Sequence, residues 1–530
     1  MVSTHLFLMA AMVTQPQGIE EHSQETLYNG IGLSSPWPPR DNKLSLKPMP
    51  VPYLSEPPDV IPIDVGRQLF VDDFLIETTD LARTYYSAQL HPESPVLQPD
   101  QPWESEGKTP TAMVFSDGVW FDPKEKLFKM WYMGGYCVAT CYTTSQDGIH
   151  WEKPSLDVVK GTNIVERTPR DSATVWMDLE EENPYRRYKL FMYTRDDHSG
   201  RLSIYFSKDG IHWSDPVARS GPCGDRSTVF RNPFRDKWVY SIREYFGGGL
   251  GRVRRYWEDG DVPKAAQWEK GEPPEWVGAD GLDAKRVDLN VQPELYNLDA
   301  VAYESLMVGL FSIWRGQPED RAKPNEVLIG FSRDGFHWDR PYRCPFVPVS
   351  ERHGDWNWAN VQSAGGGCLI VGNELWFYVS GRAGEPGSKS SGVSSTGLAV
   401  LRRDGFASMD SYGPRGSLTT RKVCFSGKRL FVNADAQGGE LAVEILNGKG
   451  DTMAPFSAKK CILVRKNSTL QQIQWKGGED LSSLAGQAVR FRFHLKNARL
   501  FSFWVSQNAS GKSGGYVAAG GPGFKGVRDE

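Results

Sequence analysis

The amino-acid sequence predicts an all-β protein, a five-bladed β-propeller followed by a C-terminal β-sandwich. First, the 530 residues include 54 Gly, 35 Pro and 12% aromatic residues, without a long run at helical spacing. This composition is typical of many short strands separated by turns. Second, a short motif recurs along the chain, each time after a β-rich segment. Third, alternating strands continue beyond about residue 412 without the motif.

The motif reads Ser-x-Asp-Gly-x-His-Trp and occupies residues 145–151, 207–213 and 332–338. It suits a tight hairpin, because Asp can hydrogen-bond the local backbone and Gly accepts a positive φ. The second gap between copies is about twice the first, and a degenerate copy at residues 257–260 fits there. A fifth copy, without its Trp, occupies residues 403–406. Five copies at four-strand spacing predict five blades.

Each blade is expected to contribute three recognisable strands. The innermost strands are expected to begin at Ala112, Asp171, Asp225, Asp288 and Trp358. The second strands are expected at residues 127–133, 188–194, 238–243, 306–314 and 375–379. The third strands are expected at residues 138–144, 202–206, 252–256, 327–331 and 398–401. The sandwich strands are expected at residues 430–432, 441–446, 489–495 and 500–504.

The expected domain limits are residues 1–58 for an N-terminal leader and irregular Pro-rich segment, 59–412 for the propeller, and 413–530 for the sandwich. Residues 1–14 are apolar but lack a Lys or Arg at their start, so they match a secretory leader weakly. They leave localisation open, with a secreted or periplasmic protein as one expectation. No other segment approaches the length of a membrane span.

The net charge and the cysteine pattern argue against several classes of protein, namely nucleic-acid-binding, zinc-binding and disulfide-rich proteins. A net charge of −4 without a basic block disfavours a nucleic-acid partner. The seven Cys residues show no zinc spacing, and their odd number argues against a pure disulfide framework. We expect no cofactor, with a structural Ca²⁺ in the propeller channel as the one metal to consider, and we expect a monomer.

Two sets of residues are expected to converge at one end of the propeller channel. The start of an innermost strand and the end of the second strand lie at the same face, because the two strands are antiparallel. The candidate carboxylates there are Asp171, Asp225 and Asp288, with Glu244 next to the arginine set. The candidate arginines are Arg195, Arg243, Arg315 and Arg382.

Several carboxylates around one pocket are what cleavage of a glycosidic bond needs, namely a protonated acid and an ionised base or nucleophile. Crowding raises the pKa of one carboxyl, while a nearby arginine keeps another ionised. Two other readings stay open for these residues. Asp and Arg could form salt bridges that join the blades, or the arginines could bind a negatively charged sugar through their planar fork.

Loops that enter the same face add aromatic candidates. Trp103, Trp356 and Trp358 could stack on sugar rings. His353 could bind hydroxyl groups or a metal, although a lone histidine is more often an ordinary loop residue. The histidines of the repeated motif are assigned to the turn and to no chemistry.

At this point the chain resembles the five-bladed propeller glycosidases, glycoside hydrolase families 32 and 43, as a divergent member. The segment Asp225-Arg-Ser-Thr-Val-Phe230, followed by Trp238, is similar to the Arg-Asp-Pro-x-Val-Phe strand of these enzymes. The resemblance covers about residues 60–510 and implies a propeller with a sandwich. It also implies that Asp225 stabilises the transition state, although the Asp-Arg order is reversed and the proline is absent.

Two other motifs of these families have no counterpart in the chain. Where family 32 carries a Trp-x-Asn-Asp-Pro nucleophile, this sequence offers Glu104, Glu106 and Asp117. The Glu-Cys acid motif is also absent, so that Glu244 or Glu294 would have to serve. The resemblance therefore implies the architecture and leaves the catalytic set to the residues themselves.

Together these observations predict a glycoside hydrolase that acts on a plant or algal polysaccharide or oligosaccharide. Asp225 would stabilise the oxocarbenium-like transition state, Glu244 would act as acid, and Asp171 or Asp288 as base. One alternative is a catalytically inactive carbohydrate-binding protein. The other is a propeller that serves as a scaffold for protein interaction.

Overall fold

The computed structural model describes residues 25–195, 199–413, 415–478 and 480–530. The apolar segment of residues 1–14 lies outside this part of the chain. Strands dominate, and the helices are single turns: the α-helices Pro52–Ser55 and Val262–Ala265 and the 3₁₀ turns Pro102–Ser105, Pro184–Arg186 and Ser482–Leu484. The predicted all-β class is therefore confirmed. Within the described ranges, no helix is long and apolar enough to cross a membrane.

Five antiparallel sheets form the blades of a propeller. Blade one consists of Ala112–Asp122, Leu127–Gly134, Ala139–Ser145 and Ile164–Glu166. Blade two consists of Ala173–Met177, Tyr188–Arg195, Gly200–Ser207 and Ala218–Arg219. Blade three consists of Thr228–Asn232, Lys237–Phe246, Gly251–Asp259 and Glu275–Gly278. Blade four consists of Glu294–Glu304, Leu306–Trp314 and Asn325–Ser332, with Tyr516–Val517 added beside Glu294–Glu304. Blade five consists of Asn360–Ser363 and Leu369–Val371, then Glu374–Arg382, Ser394–Arg402 and Gln89–Leu90.

The ring of blades is closed by a strand that precedes blade one in the sequence. Gln89–Leu90 forms the outer strand of blade five, where Leu90 pairs with Ala399. Thr111, just ahead of blade one, also bridges Ser394 of blade five. The chain therefore joins its first and last blades directly, which leaves no gap between them.

The three full copies of the repeated motif form the same turn, directly after the third strand of a blade. In the first copy the Asp147 carboxylate accepts hydrogen bonds from the backbone N–H groups of Ile149 and His150, at 2.8 and 2.9 Å. Asp209 and Asp334 do the same in their copies. The motif glycines take φ values of +77°, +78° and +82°, which a residue with a side chain adopts only with strain.

These turns also fasten neighbouring blades together. Trp131 of blade one donates its indole N–H to the carbonyl of Gly210 in blade two, at 2.7 Å. In the same way Tyr378 of blade five donates to the Gly148 carbonyl of blade one, at 2.5 Å. The motif therefore closes a hairpin, and its buried glycine carbonyl accepts a hydrogen bond from the preceding blade.

Two further antiparallel sheets pack around a second apolar core and form the sandwich. The first sheet consists of Asn467–Gln472, Arg429–Asp435, Ala498–Ser506, Ala407–Ser411 and Ala82–Tyr85, with Gln68–Leu69 beside Ala498–Ser506. The second sheet consists of Glu440–Leu446, Arg490–Lys496, Gly416–Thr420 and Ile76–Thr79. A short parallel pair joins Ile61–Pro62 to Val423–Cys424.

Strand pairing crosses the expected domain limits in both directions. Four short strands between residues 61 and 85 pair with the sandwich, although the sequence assigned this stretch to the propeller. Tyr516–Val517, from the expected sandwich, instead pairs with the innermost strand of blade four. Each domain is therefore completed by a segment from the other end of the chain.

A buried ionic network lies where the propeller meets the sandwich. The Arg67 guanidinium is 2.9 Å from the Asp404 carboxylate and 3.4 Å from that of Glu304. Ser502 of the sandwich donates to Asp404 at 2.7 Å, and Arg403 pairs with Glu304 at 3.1 Å. Because these charges are removed from water, loss of one partner would leave another charge buried and unpaired and would destabilise the interface.

Candidate active site

Asp171 and Asp225 lie together at one end of the channel, on neighbouring blades. Asp171 comes just before the innermost strand Ala173–Met177, and Asp225 just before Thr228–Asn232. The Asp171 carboxyl is partly exposed, and its pKa is raised by burial and next by the negative charge of Asp225. Arg226 and Arg382 act against this rise. Asp171, a carboxyl group with a raised pKa, therefore lies next to a second carboxyl group, that of Asp225.

Arg226, which directly follows Asp225 in the chain, is buried next to this carboxyl pair. Its side chain is 1% exposed, and its φ of +59° is a left-handed conformation that is uncommon for arginine. The backbone N–H of Arg226 donates to Ser172 Oγ at 2.9 Å, which ties it to blade two. Its guanidinium lies 3.8 Å from the ring centre of Phe115 in blade one. A strained residue held from two sides is common at functional sites.

Arg382 and Lys323 complete the basic side of the mouth. Arg382 ends the second strand of blade five, is 3% exposed, and lies 5.5 Å from the ring centres of both Phe115 and Tyr136. The Lys323 ammonium lies 4.8 Å from the ring of Tyr296 in blade four. Burial alone would raise the pKa of Tyr296, but Lys323 and Arg382 bring it below its usual value. The centre is therefore electropositive despite its carboxylates.

Beneath the mouth, a polar network fills the channel. Asn297 donates to the Asp299 carboxylate at 2.6 Å, and Ser363 and Ser116 donate to the same group at 2.7 and 3.1 Å. All four side chains are at most 3% exposed. Burial raises the pKa of Asp299 while Arg226 lowers it. These buried polar side chains therefore satisfy one another by hydrogen bonds within the channel.

Asp117, named as a substitute nucleophile, is part of a buried pair between blades. Arg170 donates to its carboxylate at 2.9 Å, and both side chains are fully buried. Burial raises the pKa of Asp117 to about 6, against the effect of Arg170. Glu104 is equally buried and receives hydrogen bonds from Tyr132 and Lys153. Both carboxylates therefore have bonding partners within the protein.

Arg243 and Glu244 line a cavity of about 170 Å³ beside Asp225, together with Arg255 and Trp268. The Arg243 guanidinium is 3.6 Å from the Asp225 carboxylate, so the two predicted residues are brought together. Glu244 is paired with Arg255 in the lining of the same cavity. Arg195 is exposed at the rim and donates to the Tyr193 hydroxyl at 3.0 Å.

The expected start of blade four needs correction. Its innermost strand begins at Glu294, and Asp288 lies in the exposed loop that precedes it. There the Asp288 carboxylate accepts hydrogen bonds from Arg286 at 3.0 and 3.1 Å. Arg286 also lowers the pKa of Asp288. Asp288 is thus held in a surface ion pair and is not brought to Asp171.

Two further candidates on blade four have partners of their own. Glu294 is paired with Arg252. Arg315 is 3% exposed and lies 3.1 Å from the Glu326 carboxylate. Arg252–Glu294 thus joins blade three to blade four, whereas Arg315–Glu326 is an ion pair within blade four. Arg382 of blade five instead lies in the electropositive centre described above.

The aromatic candidates differ in accessibility. Trp103 is partly buried and donates its indole N–H to Asn163 at 3.0 Å. Trp356 packs over Gly381 and Gly397, where its ring would collide with an added Cβ at 2.1 and 2.2 Å. His353 is exposed and lies edge-on to Trp358, with ring centres 5.0 Å apart. The absence of side chains at the two glycines makes the Trp356 ring position possible.

Sequence reasoning missed Arg226, Tyr296 and Lys323. A signal existed for Arg226, since it directly follows the predicted Asp225. None existed for Lys323, which belongs to a loop with no repeat pattern. For the Ca²⁺ considered from the sequence, the residues that the structure describes contain no group of three or more His, Cys, Asp or Glu that could hold a metal ion.

Comparisons with known proteins give likeness in structure only. No protein-family model matches the chain. No curated protein matches it either.

Among solved structures, the chain is similar to a thermostable family-43 glycoside hydrolase, with 13% identity, a TM-score of 0.40, and coverage of 58% of this chain and 94% of the other. It is similar to a glycoside hydrolase from Parabacteroides distasonis, with 14% identity, a TM-score of 0.38, and coverage of 60% and 97%. It is also similar to a fructofuranosidase from Schwanniomyces occidentalis, with 12% identity, a TM-score of 0.34, and coverage of 79% and 98%. These three structures are named as two glycoside hydrolases and a fructofuranosidase, and each matches this chain at low identity and a low TM-score.

Proposed function

We propose that this protein is a glycoside hydrolase whose catalytic pair is Asp171 and Asp225. The observation that carries the proposal is the position of the two carboxyl groups at one channel mouth, where Asp225 raises the pKa of Asp171. Glycosidic cleavage uses such a pair, because one group must be protonated while the other is ionised. The plant or algal origin of the glycan belongs to the same proposal.

In this mechanism Asp171 donates its proton to the glycosidic oxygen as the bond to the anomeric carbon breaks. Water then bonds to the anomeric carbon and gives a proton back to the Asp171 carboxylate, which regenerates the acid. Asp225, whose carboxylate lies 3.6 Å from the Arg243 guanidinium, stabilises the positive charge that develops on the sugar ring. The acid role thus moves from Glu244, which is paired with Arg255, to Asp171. Asp288 has no role, since it is held at the surface by Arg286.

The test is release of reducing sugar from a panel of neutral and anionic polysaccharides. We expect Asp171→Asn and Asp225→Asn each to lower turnover by roughly 10²-fold or more, because the first removes the acid and the second removes the carboxylate that stabilises the developing charge. Asp215→Asn is the matched control, since Asp215 is exposed in blade two away from the mouth. Full activity of both mouth variants would refute the proposal. Binding without turnover on every glycan would instead indicate a carbohydrate-binding protein.

A further inference from the structure

Three cationic side chains at the channel mouth have no carboxylate partner. Arg226, Arg382 and Lys323 come from three different blades, and no described residue forms an ion pair with any of them within 4.0 Å. Two of them are almost completely buried, at 1% and 3% exposure. A buried charge without a counter-charge is costly, so that proteins seldom keep one without a reason.

The unused hydrogen-bond donors are on the same residues. The Nε and Nη2 atoms of Arg226 and the Nε atom of Arg382 are buried and have no hydrogen-bond partner in the described part of the chain. Arg226 has one long contact, from Nη1 to the Phe115 carbonyl at 3.4 Å. The guanidinium forks are therefore held in place by aromatic rings while much of their bonding capacity is free.

A structural arginine in the same region looks different. Arg254 is fully buried and donates to the carbonyls of Arg226 and Tyr296, so that it joins blades three and four. Its pKa is lowered to about 9, by burial first and then by Arg243 and Arg226. Both terminal nitrogens of Arg254 thus bond across the blades, although its Nε is unpaired within the described residues. Arg382 donates from Nη1 to Ser391 Oγ at 3.0 Å, and the Arg226 guanidinium has only the long contact to Phe115 in the described part of the chain.

One neighbouring side chain responds to two of these cations, Lys323 and Arg382. Tyr296, between Lys323 and Arg252, has a lowered pKa even though it is buried. The two carboxyl groups of the mouth do not neutralise this potential through ion pairs with the three cations. An anionic group on a ligand would neutralise this positive potential. The planar guanidinium fork of arginine matches the oxygens of a carboxylate or a sulfate.

We propose that the sugar bound beside Asp171 and Asp225 carries an anionic substituent, a carboxylate or a sulfate ester, and that Arg226, Arg382 and Lys323 bind it. The inference rests on the proposed glycosidase function and names its substrate class as acidic glycans. A neutral sugar could not offset the three cations, since hydroxyl groups carry no charge. In this proposal the three cationic side chains select an acidic glycan by its negative charge, and the Asp171–Asp225 pair cleaves its glycosidic bond.

The test measures binding separately from cleavage. The Asp225→Asn protein is titrated calorimetrically with two matched pairs of oligosaccharides, an oligogalacturonate with its methyl ester, and a sulfated galactan oligosaccharide with its desulfated form. We expect the charged member of one pair to bind roughly tenfold or more tightly than its neutral form. The pair that shows the difference identifies the carboxylate or the sulfate. Inorganic sulfate and phosphate alone are titrated in parallel.

A second variant tests the residue assignment. Lys323→Gln removes a partly exposed ammonium and leaves the core closed, so that the fold is expected to survive, whereas Arg226→Gln alters a fully buried position. It should weaken binding of the charged oligosaccharide by roughly tenfold and leave the neutral form unchanged. Lys449→Gln, at an exposed sandwich position, should change neither.

The outcomes separate this inference from the proposed function. Equal affinity within both pairs, or binding of none of the four, overturns the inference even if the protein hydrolyses a neutral glycan. Inorganic sulfate or phosphate that binds as tightly as the charged oligosaccharide also overturns it, because the anion would then be a free ion. Preferred binding of a charged oligosaccharide that the wild-type protein cleaves in no form upholds the inference and refutes the hydrolase proposal.

Discussion

Arg170 and Asp117 form a fully buried ion pair that joins blade two to blade one, with one nitrogen–oxygen distance of 2.9 Å. Arg170 precedes the candidate acid Asp171 directly in the chain. The pair therefore anchors the backbone from which the Asp171 carboxyl enters the mouth. Removing one member would leave the other charge buried and alone.

We expect Asp117→Asn to lower the free energy of unfolding by about 3 kcal/mol, the usual cost of breaking a buried pair from one side. The shift of the urea midpoint measures it. The double variant Asp117→Asn/Arg170→Gln should recover part of the loss, because it removes the orphaned charge as well. Additive losses in the double variant would contradict a direct interaction.

The motif glycines offer a second test, on packing between blades. In Gly210→Ala the new Cβ would lie 2.4 Å from the Trp131 ring, at a φ of +78°. We expect a loss of about 2–4 kcal/mol from left-handed strain and overpacking together. Gly161→Ala is the matched control, since Gly161 has a φ of +82° and no atom within 4 Å of the added Cβ. It should cost only the strain, about 1–2 kcal/mol. Equal thermal shifts in the two variants would rule out the packing contribution.

The interface network predicts how stability changes in acid. Burial alone would raise the pKa of Asp404, but Arg67 and Arg403 hold it at about 2, below its value in an unfolded chain. Its stabilisation is therefore complete above about pH 4 and is lost as the pH falls towards 2. Asp404→Asn should remove this pH dependence and lower stability at neutral pH. Unfolding followed by circular dichroism between pH 2 and 7 measures both effects, and an unchanged acid profile would contradict the assignment.

The carboxyl pair predicts a change in one pKa. After burial, Asp225 is the main cause that raises the pKa of Asp171. Asp225→Asn should therefore lower the pKa of Asp171, because the negative neighbour is gone. Carbon NMR of labelled aspartate, with Asp171→Asn to assign the signal, measures the titration. Asp288→Asn should leave it unchanged, since Arg286 holds Asp288 at the surface. An unchanged pKa in the Asp225 variant would mean that the two groups are not coupled.

The repeat and the strand order were determined by the sequence alone. The hydrogen bonds of Asp147 to Ile149 and His150, and the positive φ of Gly148, lie within one short segment. Such local interactions can be read without knowing the fold. The repeated motif predicted the number of blades. The direction of the strands predicted that Asp171 and Asp225 lie at the same end of the channel.

The tertiary structure alone decided what each charge pairs with. Asp288 was expected beside Asp171, but its neighbour Arg286 holds it in a surface loop. Arg226 became central only because its left-handed backbone places its side chain against Phe115 of another blade. The strands between residues 61 and 85 pair with segments more than 300 residues away in the chain. These contacts join segments that are distant in the sequence. Sequence patterns miss them because hydrophobic periodicity depends on local backbone geometry and does not identify which distant residue a side chain will contact.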